Sequence, residues 1–450
     1  MKYSKTFTII ISLCFIIGML AACGSPVDTT APDSPGAAAS AADPAAPAQE
    51  QGAEEVVLRL AIQAAAGGFS DIVIAANERF MQNFPNVTVE PVMLSATGWG
   101  EQATQMMAMV AAGNAPDVTH MAIEGIRLMV AHGLLEPLDR FIENDPFIEE
   151  MKEDVHQLLW DGFTIDGSLY LLPGGWNNGV IYFNTRMFEE AGIVPNPDWN
   201  WAEFLEVAIA LTTGEGDDKV FGYALPPDHF VIMPWILTNG VFPLKNDMTA
   251  SNFNDPRVAE ALQFVFDLYA VHGVAPFPDP GVNTWQLFAS ERIAMVSGGQ
   301  WPVGINVAAG FYDFDILPFP HQYERTTVAG FGGYGILAAS QNQEIAYELI
   351  KEYVSRETNQ MEADLGLGIP GRYSISLTSP FADIPPNASL FYESLLTAQI
   401  VPSPVIFNEM FDIFTRALSL IYAGQMTAAD AMEIAHEELT IAFEQSPFIN

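Results

Sequence analysis

At 450 residues, half of them apolar, the chain is long enough to bury a sizeable core and to form two domains. Its formal net charge of −38 excludes nucleic acid and anionic lipid surfaces as partners, since both need clustered lysine and arginine. Its two cysteines, Cys14 and Cys23, leave no disulfide, Cys-ligated zinc or Cys nucleophile in the chain that follows them.

Residues 1–5 carry two lysines and no acid, residues 7–20 are almost wholly apolar, and Ala21, Ala22 and Cys23 follow. A basic start, a short apolar core and a small-residue exit describe a secretory signal peptide over residues 1–22. The apolar run is too short, and wrongly flanked, for a membrane span. Leu20-Ala21-Ala22-Cys23 resembles the bacterial lipobox, which implies cleavage before Cys23 and diacylglycerol on its sulfur. The alternative is an ordinary cleaved signal in which Cys23 has no role. Residues 24–55 are rich in Ala, Pro, Ser, Asp and Gly and lack aromatics, so they read as a disordered tether. A flexible tether of that length has an end-to-end distance of roughly 30 Å.

From residue 56 strands and helices alternate. Residues 56–62 (VVLRLAI) read as a strand, and Ser70 caps a helix to about Asn83, with Phe80 and Phe84 on one face. Residues 87–92 alternate as a second strand. Residues 101–112 and 124–132 are helices closed by Gly113 and Gly133, and Pro116-Asp117-Val118 opens a short buried strand between them. This alternation predicts a parallel α/β sheet. Asp166-Gly167 is a turn, residues 169–173 an apolar strand, and Gly174-Gly175 permits unusual backbone angles. Residues 180–184 are a strand and 186–191 a helix. Asn200 with Glu203 forms a capping box for the next helix. Further helices are expected over 257–272, 342–357, 407–423 and 427–443.

The order of these segments resembles the extracellular solute-binding proteins of the sugar-importer class, the maltose-binding-protein-like group. The resemblance is carried by 112–118 (AGNAPDV), by Asp166-Gly167 through Leu172-Pro173, and by Ile181-Tyr182-Phe183-Asn184 with Phe188 and Ala191-Gly192. Trp201 through Phe204, Ala294-Met295 through Gly299 and Trp301, Gly332-Gly333 and Gly368-Ile369-Pro370 complete it. It implies an α/β, type II periplasmic-binding-protein-like fold of two discontinuous lobes joined by a three-crossover hinge. The implied lobes are 56–172 plus 318–368, and 173–317 plus 369–450, with the ligand in the cleft between them. It also implies an extracytoplasmic receptor of an ABC importer, not an enzyme. The expected partners are a carbohydrate, most readily an oligosaccharide, and the permease subunits. The chain is read as a monomer without cofactor or metal, touching the membrane through its lipid anchor alone.

A sugar cleft needs flat aromatics for ring faces, and carboxylates, amides or arginine for hydroxyls that lose water on binding. Trp176, beside Asn177 and Asn178 at the first crossover, reads as a stacking platform or as packing at the lobe junction. Trp301 follows Gly298-Gly299-Gln300 at the position where the resemblance puts a cleft tryptophan. Glu124, after Met121 at a strand end, reads as a hydroxyl acceptor or as a first-turn helix acid. Trp99, Tyr223, Trp235, Trp285 and Tyr334 are further aromatics near Gly or Pro, open to either cleft or core, and Gly333 is cleft backbone. Arg372, at the third crossover, meets ligand or pairs with an acid across the hinge. Residues 330–335 match G-x-G-x-x-G, but an apolar strand follows where a dinucleotide site needs a helix. There is no G-x-S-x-G and no paired histidine spacing. Three alternatives remain open: a receptor for a non-sugar solute, a sensory receptor of the same fold, and an extracytoplasmic carbohydrate-active enzyme.

Overall fold

In the computed structural model the described residues are 54–449, apart from 64–68, 97, 227, 279–280, 367 and 379–382. The expected signal peptide, Cys23 and nearly all of the tether lie outside them. No helix among the described residues is long and apolar enough to cross a membrane.

Two sheets organise the chain. The first contains β1 (Val56–Gln63), β2 (Val87–Leu94), β3 (Val118–Ala122), β4 (Leu172–Asn178), and two strands from late in the chain. The second contains β5 (Val180–Asn184), β6 (Met295–Gly298) and β7 (Phe314–Leu317), paired antiparallel in the order β6-β5-β7. The late strands of the first sheet are β8 (Val328–Ile336) and β9 (Gln399–Ile400). Their order is β9-β8-β3-β1-β2, with β4 also on β8. β1 runs parallel to β2 and β3, as alternation with helices requires. β8 returns from the second sheet and runs antiparallel to β3 and β4, so the sheet is mixed, not parallel throughout.

The helices named below are α1 (Phe69–Asn83), α2 (Trp99–Ala111), α3 (Ile123–Ala131), α4 (Pro146–Asp154), α5 (Trp201–Leu211), α6 (His229–Thr238) and α7 (Pro256–Ala270). They continue with α8 (Pro302–Ala308), α9 (Gln343–Tyr353), α10 (Arg356–Leu365), α11 (Ser389–Leu395), α12 (Phe407–Tyr422) and α13 (Ala428–Gln445). Local chemistry sets many of their ends. Gly113 and Gly133 close α2 and α3 at φ of 71° and 64°, a conformation costly for other residues. The capping box at α5 forms in both directions: Glu203 N donates to Asn200 Oδ1 at 3.0 Å, and Asn200 N to Glu203 Oε2 at 2.8 Å. Phe80 and Phe84 stack at 4.7 Å along α1. The single helix expected over 342–357 is two helices, because the Ser355 hydroxyl accepts from Thr358 N at 3.2 Å and caps α10.

The sheets belong to two lobes joined by three strands of backbone that lie side by side. The first passes from β4 through Gly179 to β5. The second runs from β7 to β8, and is tied to the first where Thr327 Oγ1 donates to Gly179 O at 2.7 Å. The third carries Ile369, whose backbone pairs with that of Trp176 in both directions at 2.8 and 3.2 Å. Gly371 crosses so close to Gly174 that a Cβ would run into its carbonyl oxygen. β4 pairs with β8 as far as Asn178, which carries the first lobe's sheet beyond the expected division at Leu172/Pro173.

The second lobe is centred on Trp235, which is fully buried with Trp201, Phe204, Tyr223, Phe264 and Phe319 ranged around its ring at 5.1–6.1 Å. Burying aromatics of this size supplies much of a core's driving force.

Candidate functional site

Strand direction brings the two sheets edge to edge. β1 and β3 are parallel, so Gln63 and the Met121–Glu124 segment leave the first sheet at the same edge. Trp176, Asn177 and Asn178 pair with Phe331, Gly330 and Ala329, which places them at that edge too. In the second sheet Gly298 pairs with Val180, the first residue after the crossover, so β6 ends facing the first sheet. Ala224 bridges Val296 in parallel and leads to Asp228 and α6 at the same end.

The edges touch. Gln300 N donates to Asn177 Oδ1 at 2.9 Å, joining the segment after β6 to the end of β4. Trp301, half-buried, meets Phe230 edge-on at 5.8 Å, and Phe230 lies against Gly330 so closely that no Cβ fits there. Farther out, Asn408 at the start of α12 donates to Gly100 O of α2 at 3.1 Å. His229 packs edge-on to Phe407 and Phe411 at 5.9 and 5.0 Å.

Within this junction the polar groups are unevenly satisfied. Glu124, in the first turn of α3, is 5% exposed, and its Oε2 has no hydrogen-bond partner. Burial pushes its carboxyl up to about 7; a backbone hydrogen bond opposes this and the Asp228 carboxylate adds to it. Asp228 belongs to the second lobe. It is exposed, and its side chain accepts from Phe230 N at 2.9 Å as the cap of α6. Gln63 Nε2, Gln300 Oε1 and His229 Nε2 are likewise buried without a partner. Burial also raises Glu362 to about 7; its side chain lies against Gly175 and Gly368 at the first and third crossovers. A ring series flanks the first-lobe edge: Trp99 on His120 at 5.4 Å, His120 on Tyr334 at 4.8 Å, Tyr334 stacked on Tyr353 at 4.6 Å. Burial holds His120 down at about 4, so this series is uncharged at neutral pH.

Of the residues singled out from sequence, Glu124, Asn177 and Trp301 are brought together here. Trp99 lies half-buried at the start of α2, and Trp285 covers Gly298 edge-on to Tyr182 at 5.1 Å. Six others are turned elsewhere. Trp176 is 4% exposed, edge-on to Tyr392 at 6.1 Å, and packs the junction instead of offering an open ring face. Tyr223 and Trp235 are core residues, Tyr223 being bonded through its hydroxyl to Ser297. Arg372 is 1% exposed; it donates to Glu150 at 3.0 Å and to Val354 O at 3.1 Å, and lies over the Phe147 ring. It therefore takes the acid-pairing role of the two open to it. Tyr334 and Gly333 are buried in sheet packing, Gly333 against Leu172 O and the Phe163 ring.

Asp228, Gln300 and Gln63 were missed. Asp228 had a usable signal: an Asp directly before the apolar run of 229–237 reads as an N-cap. Of two openings in the described surface, the first borders the junction and the second lies away from it. The first, of about 10 Å³ beside His229, has room for roughly one water. The second, about 320 Å³, is a groove on the outer face of α5 lined by Val194, Trp199 and Glu206.

The chain belongs to the bacterial extracellular solute-binding protein family, whose profile matches residues 75–388. It is similar to a maltotriose-binding protein of Pyrococcus abyssi, 22% identical over 57% of this chain and 55% of that protein. It is also similar to an arabinooligosaccharide-binding protein of Halalkalibacterium halodurans, 21% identical over 64% of this chain and 63% of the other. The chain thus spans little more than half the length of the maltotriose-binding relative. Its fold matches that of an ABC substrate-binding protein from Listeria monocytogenes solved with cycloalternan: TM-score 0.77, 21% identity, 87% of this chain and 100% of that one.

Proposed function

We propose that this protein is the receptor of an ABC importer, capturing a carbohydrate, most readily an oligosaccharide, between its lobes and delivering it to a membrane permease. The observation that carries the reading is the meeting of unpaired buried acceptors and amides, Glu124, Gln300 and Gln63, with the Asn177–Gln300 bridge and Trp301, where the two sheets face each other. Sugar hydroxyls lose water on entry and need such partners, and Trp301 supplies apolar surface for a ring face. The names of the two relatives, maltotriose- and arabinooligosaccharide-binding, support the solute class.

In this reading the lobes part at the three crossovers to admit solute and close on it, because solute touching both lobes stabilises the closed arrangement. The first lobe then extends from residue 56 to the end of β4, with the return segment around β8, and the second is built on β5–β7 and the C-terminal helices. Glu124, Asn177 and Trp301 are the proposed contacts, with Gln300, Asp228, Trp99 and Trp285 at the margin. The chain acts as a monomer and does no chemistry on its solute. Cys23 carries the lipid anchor that keeps it at the outer face of the membrane.

A thermal-shift screen of sugars tests the reading. A true solute at a hundredfold excess over its dissociation constant stabilises by about 2.7 kcal/mol. No shift with any sugar, together with a shift from an amine, an anion or a metal complex, would remove the carbohydrate assignment and leave the receptor fold.

A further inference from the structure

The carbohydrate reading leaves the charge class of the solute open. Three observations bear on it. Glu124 is enclosed, with one carboxylate oxygen aimed at no donor. Asp228 brings a second carboxylate from the opposite lobe, at the cap of α6. Among the described residues no lysine or arginine forms a hydrogen bond or ion pair with Glu124, Asp228, Asn177, Gln300 or Trp301. Several of the described cations are engaged elsewhere: Arg79 with Glu352, Arg186 with Glu190 and Glu291, and Arg372 with Glu150 and Asp154. Arg127, one turn along α3 from Glu124, makes no ion pair with it.

We infer, resting on the carbohydrate reading, that the cleft selects by charge: it takes a solute that presents hydroxyl or ammonium donors to Glu124 and Asp228, and rejects one carrying a carboxylate, sulfate or phosphate there. Above about pH 7, where Glu124 is ionised, its carboxylate only accepts hydrogen bonds, so a donor group completes its shell and an anionic group does not. Bringing a second anion beside an enclosed carboxylate sets two like charges together where water screens them little. The chain's overall charge of −38 adds repulsion of the same sign at longer range. Burial already holds the Glu124 carboxyl near neutrality, and an arriving donor favours its ionised form.

The test is calorimetric titration of the full chain with three matched sets of probes. These are neutral oligosaccharides, their 2-amino-2-deoxy counterparts, and their uronic-acid or sulfated counterparts. The expected result is binding of neutral or amino members, with acidic counterparts at least tenfold weaker. Glu124→Gln keeps the shape and removes the charge. It is expected to weaken the amino set most, roughly ten- to a hundredfold, as for loss of a charge-assisted hydrogen bond. It is also expected to narrow the gap to the acidic set, a change that a merely structural Glu124 would not produce. Asp228→Asn, at an exposed position, repeats the measurement without risk to the core. An acidic probe bound as tightly as its neutral counterpart overturns the charge rule and leaves the carbohydrate reading standing. So does an order of the three sets unchanged in both variants. Silence from all three sets overturns the carbohydrate reading, and this inference with it.

Discussion

The enclosed carboxyl of Glu124 makes the protein's stability depend on pH in a calculable way. In the unfolded chain it ionises near 4.5; folded, it holds its proton up to about 7. Between those values the folded state binds the extra proton, so stability falls as pH rises and levels off above 7. At 1.36 kcal/mol for each pH unit, the loss integrates to about 3 kcal/mol. Below 4.5 the neutral acid and a glutamine are nearly equivalent. Glu124→Gln is therefore expected to stabilise the protein by about 3 kcal/mol at pH 8, and by less than about 1 kcal/mol at pH 5. Paired urea titrations of the two proteins at both pH values read the difference, and every other titrating group cancels in the comparison. A gain of equal size at both pH values would mean that Glu124 ionises as it does in water, and the argument from its burial would fail. Loss of stability at pH 8 would do the same. A gain in stability that coincides with loss of solute affinity is the pattern of a residue kept for binding at the expense of the fold.

Trp301→Ala is expected to weaken whichever sugar gives a thermal shift by about 1 kcal/mol or more, with a smaller effect on the urea midpoint than loss of a fully buried ring, because its half-buried ring packs at the margin of the core. Trp235→Ala should do the reverse, costing about 3–5 kcal/mol of stability by emptying the centre of the second lobe. At the hinge, removing both Glu150 and Asp154 strands the buried Arg372 guanidinium and is expected to cost about 3–5 kcal/mol. Arg372→Met should cost less, since the acids left behind are in part solvated and the apolar stem is kept; urea midpoints of the two variants give the order. Gly371→Ala drives a methyl into the Gly174 carbonyl and should cost about 1–3 kcal/mol, read in the same titration.

Two features of the junction follow from its place at strand ends. Backbone near the crossovers is dense: Gly174, Gly330, Gly332 and Gly371 each have a neighbour where a side chain would go. That density brings strands from both lobes within hydrogen-bonding reach, as at Thr327 and Gly179. The polar groups left unpaired, Glu124 Oε2 and Gln300 Oε1 among them, sit just past the ends of strands, in the first turn of α3 and in the segment after β6. Rigid strands with polar loops at their ends are the usual setting for a binding site on an α/β scaffold.

What could be read from the residues alone was local. The alternation of strands and helices, the glycine stops at Gly113 and Gly133, and the Asn200–Glu203 box each depend on neighbours within a few positions, and each formed. The order of landmarks also carried the two-lobed fold and the family, since spacing along a chain is itself sequence information. Which aromatic faces the cleft was not local. Trp176, Trp235 and Trp301 have similar surroundings of glycine, proline and apolar residues. Their different burial reflects partners distant in the chain, such as Tyr392, Phe319 and Phe230, which lie 216, 84 and 71 positions away. The fate of Arg372 was decided in the same manner by Glu150, 222 positions earlier. The contribution of Asp228 depended on a second lobe folding back to set it opposite Glu124. Burial and pairing are properties of what arrives in space, so the chain names the candidate groups and only the assembled lobes choose among them.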